Sequence, residues 1–577
     1  MTREVRVRLR DHGIAAGAAV VALLAGGCGA GGDDPGSTGG TGGTGGTGGT
    51  GVRGVAAYDI NPTAREGVRD GGTLTVATSE FRAQWNYWHL GGTNLDAARP
   101  LRAMMPVLFR SDQNGRVTAD PDYLIGARVT RTKPKQVITY DINPRAGWSD
   151  GTPLGYQDFW ALWRACNGRN RAYQITASTG YERIESVERG AGDRQVVVTF
   201  AKPFGEWRGL FSPLYPAKAI STPTAWDTAW LNRIPVTAGP FRPEKIDRTA
   251  ETISMVRDRR WWGRRAKLDR IVFRHLAREA MPGAFASGEI DTFDVGSDAA
   301  SYRRAEKAPG AVVRRAAGPD FSHLTFNGAG PLLSDANVRR AVATAIDRRA
   351  IARSSLQDLG WPVRLLNDHA FVNTQEGYQD NAGELGGYDP GRAGRLLDRA
   401  GWRPAGRARQ KNGRALTLRY VYPLSAATSR HNGELVQEML QRVGVRVTLR
   451  PVPDNDFFDR YLIPGDYDIA PFSWIGTPFP ISGMKSVYGR PRGGRMQQNV
   501  ARIGSRRLDV KLDQAIGELD LTRARQDANG ADKMIWAEMH SLTLFQRPQI
   551  VPVKRALANW GAFGLYDPVW TDIGFTM

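Results

Sequence analysis

Residues 434–449 read ELVQEMLQRVGVRVTL. From Glu434 to Val443 the apolar side chains recur at helical spacing, and Gly444 stops the helix, because glycine enters left-handed dihedrals without steric cost. Val445–Leu449 then alternates as a half-buried strand does. A helix feeding a strand through one glycine is a unit of an α/β fold. The same alternation runs outward in both directions. Strands are expected at 72–77, 137–142, 195–200, 271–273 and 324–326. Helices are expected at 158–163 with Asp158 as its cap, at 278–287 closed by Gly288, at 337–351, and at 392–400 closed by Gly401.

The 577 residues exceed what one hydrophobic core organises, so two or three domains are expected. The first 27 residues have the layout of a secretory signal: Arg3, Arg6, Arg8 and Arg10, an apolar run from Ile14 to Ala25, then Gly26-Gly27. The run is too short for a membrane span, which takes about 20 residues. Leu24-Ala25-Gly26-Gly27-Cys28 is similar to the bacterial lipobox, which implies lipidation at Cys28. Residues 28–57 are glycine-rich, with Thr-Gly-Gly repeated from Thr38 to Gly49, and read as a disordered tether with a reach of roughly 30 Å. With Cys28 lipidated, Cys166 has no partner, so no disulfide is expected.

The chain carries a formal charge of +20, and +18 without residues 1–27. Only 12 of its 78 basic residues are Lys, and the arginines are spread singly or in doublets such as Arg259-Arg260, Arg339-Arg340 and Arg348-Arg349. This pattern reads as a basic solvated surface, suited to anionic headgroups or wall polymers, and no nucleic-acid partner is expected. HExxH, GxSxG and GxxxxGK[ST] are all absent, and the six histidines after residue 27 are widely spaced. Neither an enzyme, a metal site nor a cofactor is expected.

Several segments together carry a family likeness. They are Trp148-Ser149-Asp150-Gly151-Thr152-Pro153 with Asp158, Thr237-Ala238-Gly239-Pro240-Phe241, Asp258 with Trp261-Trp262-Gly263, and Ser287-Gly288-Glu289-Ile290-Asp291. Further along are Asn337-Val338-Arg339-Arg340-Ala341 through Asp347-Arg348, Tyr388-Asp389-Pro390 with Ala400-Gly401-Trp402, and Gly465-Asp466-Tyr467-Asp468-Ile469 before Trp474. In this order, across residues 71–577, the chain resembles the family 5 solute-binding proteins of bacterial ABC importers, the receptors for oligopeptides, dipeptides and nickel.

The resemblance implies an α/β, two-lobed periplasmic-binding-protein-like fold (type II, cluster C). Lobe one would comprise 58–320, with an inserted subdomain at about 110–230, plus the return of 545–577; lobe two would be 321–544. It implies a monomer, lipid-anchored on the outer face of the cell membrane, that takes a small-molecule or peptide ligand and hands it to an ABC permease driven by ATPase subunits. Carried onto this sequence, the ligand cleft would draw on Trp85, His89, Thr93, Asn94, Asp294, His323, Asn455, Trp474 and Thr477. One departure stands out. Thr477 occupies the position of the acid that pairs with a peptide's amino terminus in the family, and Pro471 and Leu462 occupy those of two arginines. Asp294, Asp466 and Asp468 are the acids open as substitutes. A neutral cleft would also suit a glycolipid headgroup, so an envelope lipoprotein binding a phosphatidylinositol mannoside is the alternative.

Overall fold

The computed structural model describes residues 55–93, 95–112, 115–491 and 496–577. The signal segment, Cys28, most of the tether and Asn94 lie outside the described residues, as does the side chain of Asn455. Strand β1 (Thr73–Thr78) and helix α1 (Leu95–Met104) come first. An antiparallel sheet follows from β2 (Leu124–Arg131), β3 (Val137–Ile142), β4 (Ile184–Arg189) and β5 (Gln195–Phe200), ordered β2-β3-β5-β4 with helix α2 (Tyr156–Cys166) packed beside it. The chain then returns to β1 through β6 (Phe241–Asp247), β7 (Thr252–Arg257) and β8 (Arg270–His275), in the order β1-β8-β7-β6, with β1 and β8 parallel. Helices α3 (Met281–Ser287) and α4 (Ala299–Glu306) complete this body.

A second body is built on a five-stranded sheet. Its members are β9 (Ala311–Phe326), β10 (Thr417–Pro423), β11 (Arg446–Val452), β12 (Ile469–Ile475) and β13 (Ser541–Lys554), in the order β11-β10-β12-β9-β13. Around it lie α5 (Ala336–Thr344), α6 (Arg348–Leu356), α7 (Pro390–Arg399), α8 (Ala427–Gln441), α9 (Pro480–Tyr488), α10 (Arg506–Gly517) and α11 (Leu521–Glu538). No helix among the described residues is long and apolar enough to cross a membrane.

Three local departures from the sequence reading have physical causes. The helix expected over 337–351 is two helices, because the Asp347 carboxylate accepts the N–H of Arg349 (2.9 Å) and of Ala350 (3.0 Å) and starts a new one. Asp158 is not the cap of α2 but sits in its first turn. It reaches back to the Gly155 N–H (3.0 Å) and also accepts from the Ala217 N–H (2.8 Å) and Trp148 Nε1 (3.1 Å). Helix α8 starts seven residues before Glu434, running through Gly433, where a Cβ would stand 2.7 Å from the Tyr420 ring. The arginine doublets are also not uniformly solvated. Arg339 and Arg348 are buried and donate to backbone carbonyls, including those of Leu333 and Glu538, and of Leu366 and Thr543.

Two strands pass from one body into the other. Ala311–Ala317 of β9 pairs with Lys554–Pro548 of β13 on the side of the first body, where Thr292 bridges both Val76 and Val553. Phe321–Thr325 pairs with Gln546–Ser541 on the side of the second, where β12 joins. The domain boundaries expected at 320 and 545 both fall inside these strands. Between the pairs Ala317–Pro548 and Phe321–Gln546 the ladder is interrupted, with Gly318-Pro319-Asp320 opposite Arg547. Pro319 lacks the N–H a ladder needs, and the Gln546 amide fills part of the gap by donating to the Gly318 carbonyl (2.7 Å). Across the same gap Arg547 Nη1 donates to Asp320 Oδ2 (2.5 Å), both side chains being buried.

Removing one partner of a buried ion pair leaves an uncompensated charge. Arg547→Met alone should therefore destabilise the protein by about 3–5 kcal/mol, whereas Arg547→Met with Asp320→Leu should recover most of the loss. Urea unfolding of the two variants against wild type measures this.

Candidate functional site

A cavity of about 470 Å³ lies where the crossing strands leave one body for the other. Helix α1 contributes Arg99 and Arg102, the loop before α4 contributes Phe293, Asp294 and Gly296, and the interrupted ladder contributes Asp320, Phe321 and Arg547. From the second body come Trp474 at the end of β12 and the loop Ile475–Phe479 that leads into α9. The C-terminal segment closes the remaining side with Trp560, Phe563, Tyr566 and Trp570, whose rings contact one another at centroid separations of 5.4–6.0 Å. An apolar, aromatic wall with a few charged groups is the usual make-up of a small-molecule pocket.

Of the residues expected at the cleft, Thr93, Asp294, Trp474 and Thr477 line this cavity. Thr93 Oγ1 is already engaged with Thr176 Oγ1 (2.6 Å) and with the Tyr87 carbonyl. Trp474 is half-buried, and Thr477 is exposed. Three expected residues are placed elsewhere. Trp85 is buried in the core, pinned by its own N–H to the Trp230 carbonyl (3.0 Å) and by the Tyr215 hydroxyl donating to its carbonyl (2.9 Å). His89 has both ring nitrogens occupied within the first body: Nδ1 accepts from the Gly91 N–H (2.9 Å), and Nε2 faces Asp227 (3.2 Å). Burial pulls its pKa down. His323 lies behind the wall rather than on it. Its ring is stacked parallel to Trp474, with centroids 6.0 Å apart, and stands edge-on to Phe472. Burial pushes its pKa down to about 3, so it is neutral and acts as backing for the indole.

Sequence reasoning did not find the C-terminal aromatics, the α1 arginines or Arg547. The signal for the first was present: four aromatics between 560 and 570 in a segment broken by glycine, aspartate and proline. The arginines carry no such mark, since only the fold brings residues 99, 294, 320 and 547 together.

The acids of the cavity are each near a guanidinium. Arg102 pairs with Asp567, and Arg547 with Asp320. Asp294 is less firmly held: Arg99 stands 3.6 Å away and is also 3.8 Å from Asp96. The Asp294 Oδ1 accepts the Gly296 N–H (2.9 Å), which fixes the turn.

Away from the cavity, the loop after β5 crosses to the second body. The Glu206 carboxylate accepts the N–H groups of Ile481 (3.1 Å) and Ser482 (2.7 Å) at the N-terminus of α9. Gly205 N–H donates to the Ile516 carbonyl (2.8 Å), and Arg183 pairs with Asp513 (2.6 Å), which also meets Lys485. Apolar side chains of α9–α11 join the same core as α2 and β5. Helix N-terminal N–H groups without intrahelical partners thus find theirs on the opposite body.

A family model described as bacterial extracellular solute-binding proteins, family 5, matches residues 124–494. The chain is 40% identical over 521 residues to the oligopeptide-binding protein OppA of Mycobacterium tuberculosis, covering 90% of this chain and 87% of that one. A shorter match, 33% identical over 252 residues, covers 42% of this chain and 39% of LpqW from the same organism, a probable monoacyl phosphatidylinositol tetramannoside-binding protein. Among solved structures, the periplasmic EDTA-binding protein EppA superposes with a TM-score of 0.83 at 23% identity, over 91% of this chain and all of that one.

Burial is the main cause that raises the Glu206 pKa from 4.5 to about 7. Where the contact is broken and the carboxyl is hydrated, its pKa returns toward 4.5. The contact's contribution is therefore complete below about pH 4.5 and lost as pH rises through about 7. The melting temperature of wild type should fall relative to Glu206→Gln between pH 5 and pH 8, read by calorimetry in a buffer series.

Proposed function

Because the chain belongs to the bacterial extracellular solute-binding proteins of family 5, we propose that it is the substrate-binding component of an ABC importer and captures a small peptide-like solute in the cavity between its two lobes. Lobe one is taken as 58–320 with 545–577, carrying the inserted subdomain at about 110–230, and lobe two as 321–544. The observation that carries the reading is the cavity itself. It sits at the interrupted ladder of the crossing strands and draws its walls from both lobes, so rotation about Gly318-Pro319-Asp320 opens and closes it. Function here is binding and delivery; the membrane path and ATP hydrolysis belong to partner chains. The 40% identity to OppA over most of both chains supports a peptide-like ligand. The likeness to a tetramannoside-binding protein spans less than half of this chain, so the glycolipid reading is second.

Within this reading Thr93, Asp294, Trp474 and Thr477 contact the ligand directly, with Trp474 as the aromatic platform. Native mass spectrometry of the purified full-length protein tests the class of solute: co-purified peptide masses support the importer reading, and glycolipid masses overturn it. Trp474→Ala should weaken binding of the co-purified solute by about 30-fold or more, the effect of losing a central aromatic anchor. The apo melting temperature should stay within about 4 °C of wild type. A larger loss of apo stability would make Trp474 a core residue.

The chain is held at the outer face of the membrane through a lipid on Cys28, with the glycine-rich stretch from residue 29 as the leash, which ends where the Ala56 carbonyl accepts the Ala317 N–H (2.9 Å). Several acyl chains on one residue hold firmly, where one alone binds marginally. Cys28→Ala should move the protein from the membrane fraction to the medium, as followed by immunoblot. Retention on the membrane would sink the anchor.

A further inference from the structure

Thr477 brings no charge to the cavity, yet the cavity is not neutral. Around the interrupted ladder three carboxylates, Asp96, Asp294 and Asp320, share two guanidiniums, Arg99 and Arg547. Asp320 is satisfied by Arg547. Asp96 accepts the N–H groups of Ser79 (2.9 Å) and Glu80 (3.0 Å) and the Ser79 hydroxyl (2.9 Å). Asp294 faces the open volume with its side chain 28% exposed, and the one ion-pair partner it has among the described residues, Arg99, stands 3.6 Å away and is shared with Asp96. The negative charge of Asp294 also reaches Asp320, whose pKa is raised first by burial and then, beyond the opposing effect of Arg547, by its carboxylate neighbour. Arg102 is matched by Asp567, and Arg278 lines the same cavity without an ion pair to Asp294 within 4 Å among the described residues.

The other acids open by sequence are spent elsewhere. Asp468 accepts from Arg419 Nε (3.0 Å) and Asp466 from Arg450 Nη1 (2.9 Å), and neither lines the cavity. A partly buried carboxylate with a distant, shared counter-charge favours a cation at van der Waals contact. We infer that Asp294 is the anchor for the ammonium group of the ligand, held from the lobe-one wall of the cavity. This rests on the peptide-like reading above and names the group that selects within it.

The test uses equimolar pools of random tetrapeptides, one with free amino termini and one N-acetylated, offered to full-length protein and read by native mass spectrometry. Wild type should favour the free-amine pool by about 10–100-fold, the range of one charge-assisted contact. Asp294→Asn keeps the oxygen that accepts the Gly296 N–H and removes the charge, so the preference should collapse to within about 3-fold. Asp466→Asn should keep the wild-type preference. Arg99→Gln is the second variant, needed in case Asp294→Asn melts: releasing Asp294 from its guanidinium should raise the free-amine preference. Equal binding of both pools by wild type, an undiminished preference in Asp294→Asn, or no gain in Arg99→Gln overturns the assignment while peptide binding stands. Failure of wild type to bind either pool overturns the peptide-like reading and the assignment together.

Discussion

The buried pair of Arg547 and Asp320 is the contact on which the cavity depends. It spans the longer of two irregularities in the β9–β13 ladder, between Ala317 and Phe321, where Pro319 has no N–H to donate. A pair of strands whose backbone ladder is interrupted bends more easily, which a hinge requires, but it also splays. The ion pair holds the separation while leaving the backbone dihedrals free. Arg547 extends this control toward the ligand loop, since its Nε and Nη2 stand 3.4 Å from Ser297 Oγ, one residue beyond the Gly296 turn that positions Asp294. Hinge and binding wall are thus tied by one guanidinium.

Closure draws on a different kind of contact. The interface around Glu206 mixes apolar burial from α9–α11 with polar groups that each keep an alternative partner in water. When the lobes part, the N–H groups of Ile481 and Ser482 are hydrated, as helix N-termini commonly are. Such groups lose little on opening, so the apolar part sets most of the bias toward closure. A cleft that must release its solute needs that bias to be small.

How much of this was legible in the sequence follows from what each feature needs. Gly288, Gly401 and Gly444 end helices at φ of 81°, 83° and 78°, and one residue type in one local conformation sufficed to place them. Strands 137–142 and 195–200 were readable because alternation is a property of neighbours. The break at Asp347 was not, because a strong apolar period over 337–351 hides a cap that competes with it. Trp474 and Asp294, which line the cavity, were legible through their neighbours in the family motifs. Trp85 and His323 show the limit of that route: the first lies in the core and the second behind Trp474, and only side-chain packing decides such placements. The Trp560–Trp570 wall and the convergence of residues 99, 294, 320 and 547 need the whole fold.

The exchange of an acid at Thr477 for one at Asp294 is easier to accept once the cavity is considered as a closed volume. In an open cleft the two positions belong to different lobes, and an ammonium group held by one is far from the other. After closure both line the same 470 Å³ space, where the Coulomb energy depends on distance and dielectric and not on which lobe supplies the charge. In the proposed assignment the anchor stands on the lobe-one wall next to the interrupted ladder, while lobe two lines the cavity with uncharged groups such as Trp474, Thr477, Met484 and Tyr488. Under that assignment affinity is divided between an electrostatic contact from lobe one and an aromatic one from lobe two, so neither lobe alone holds the solute.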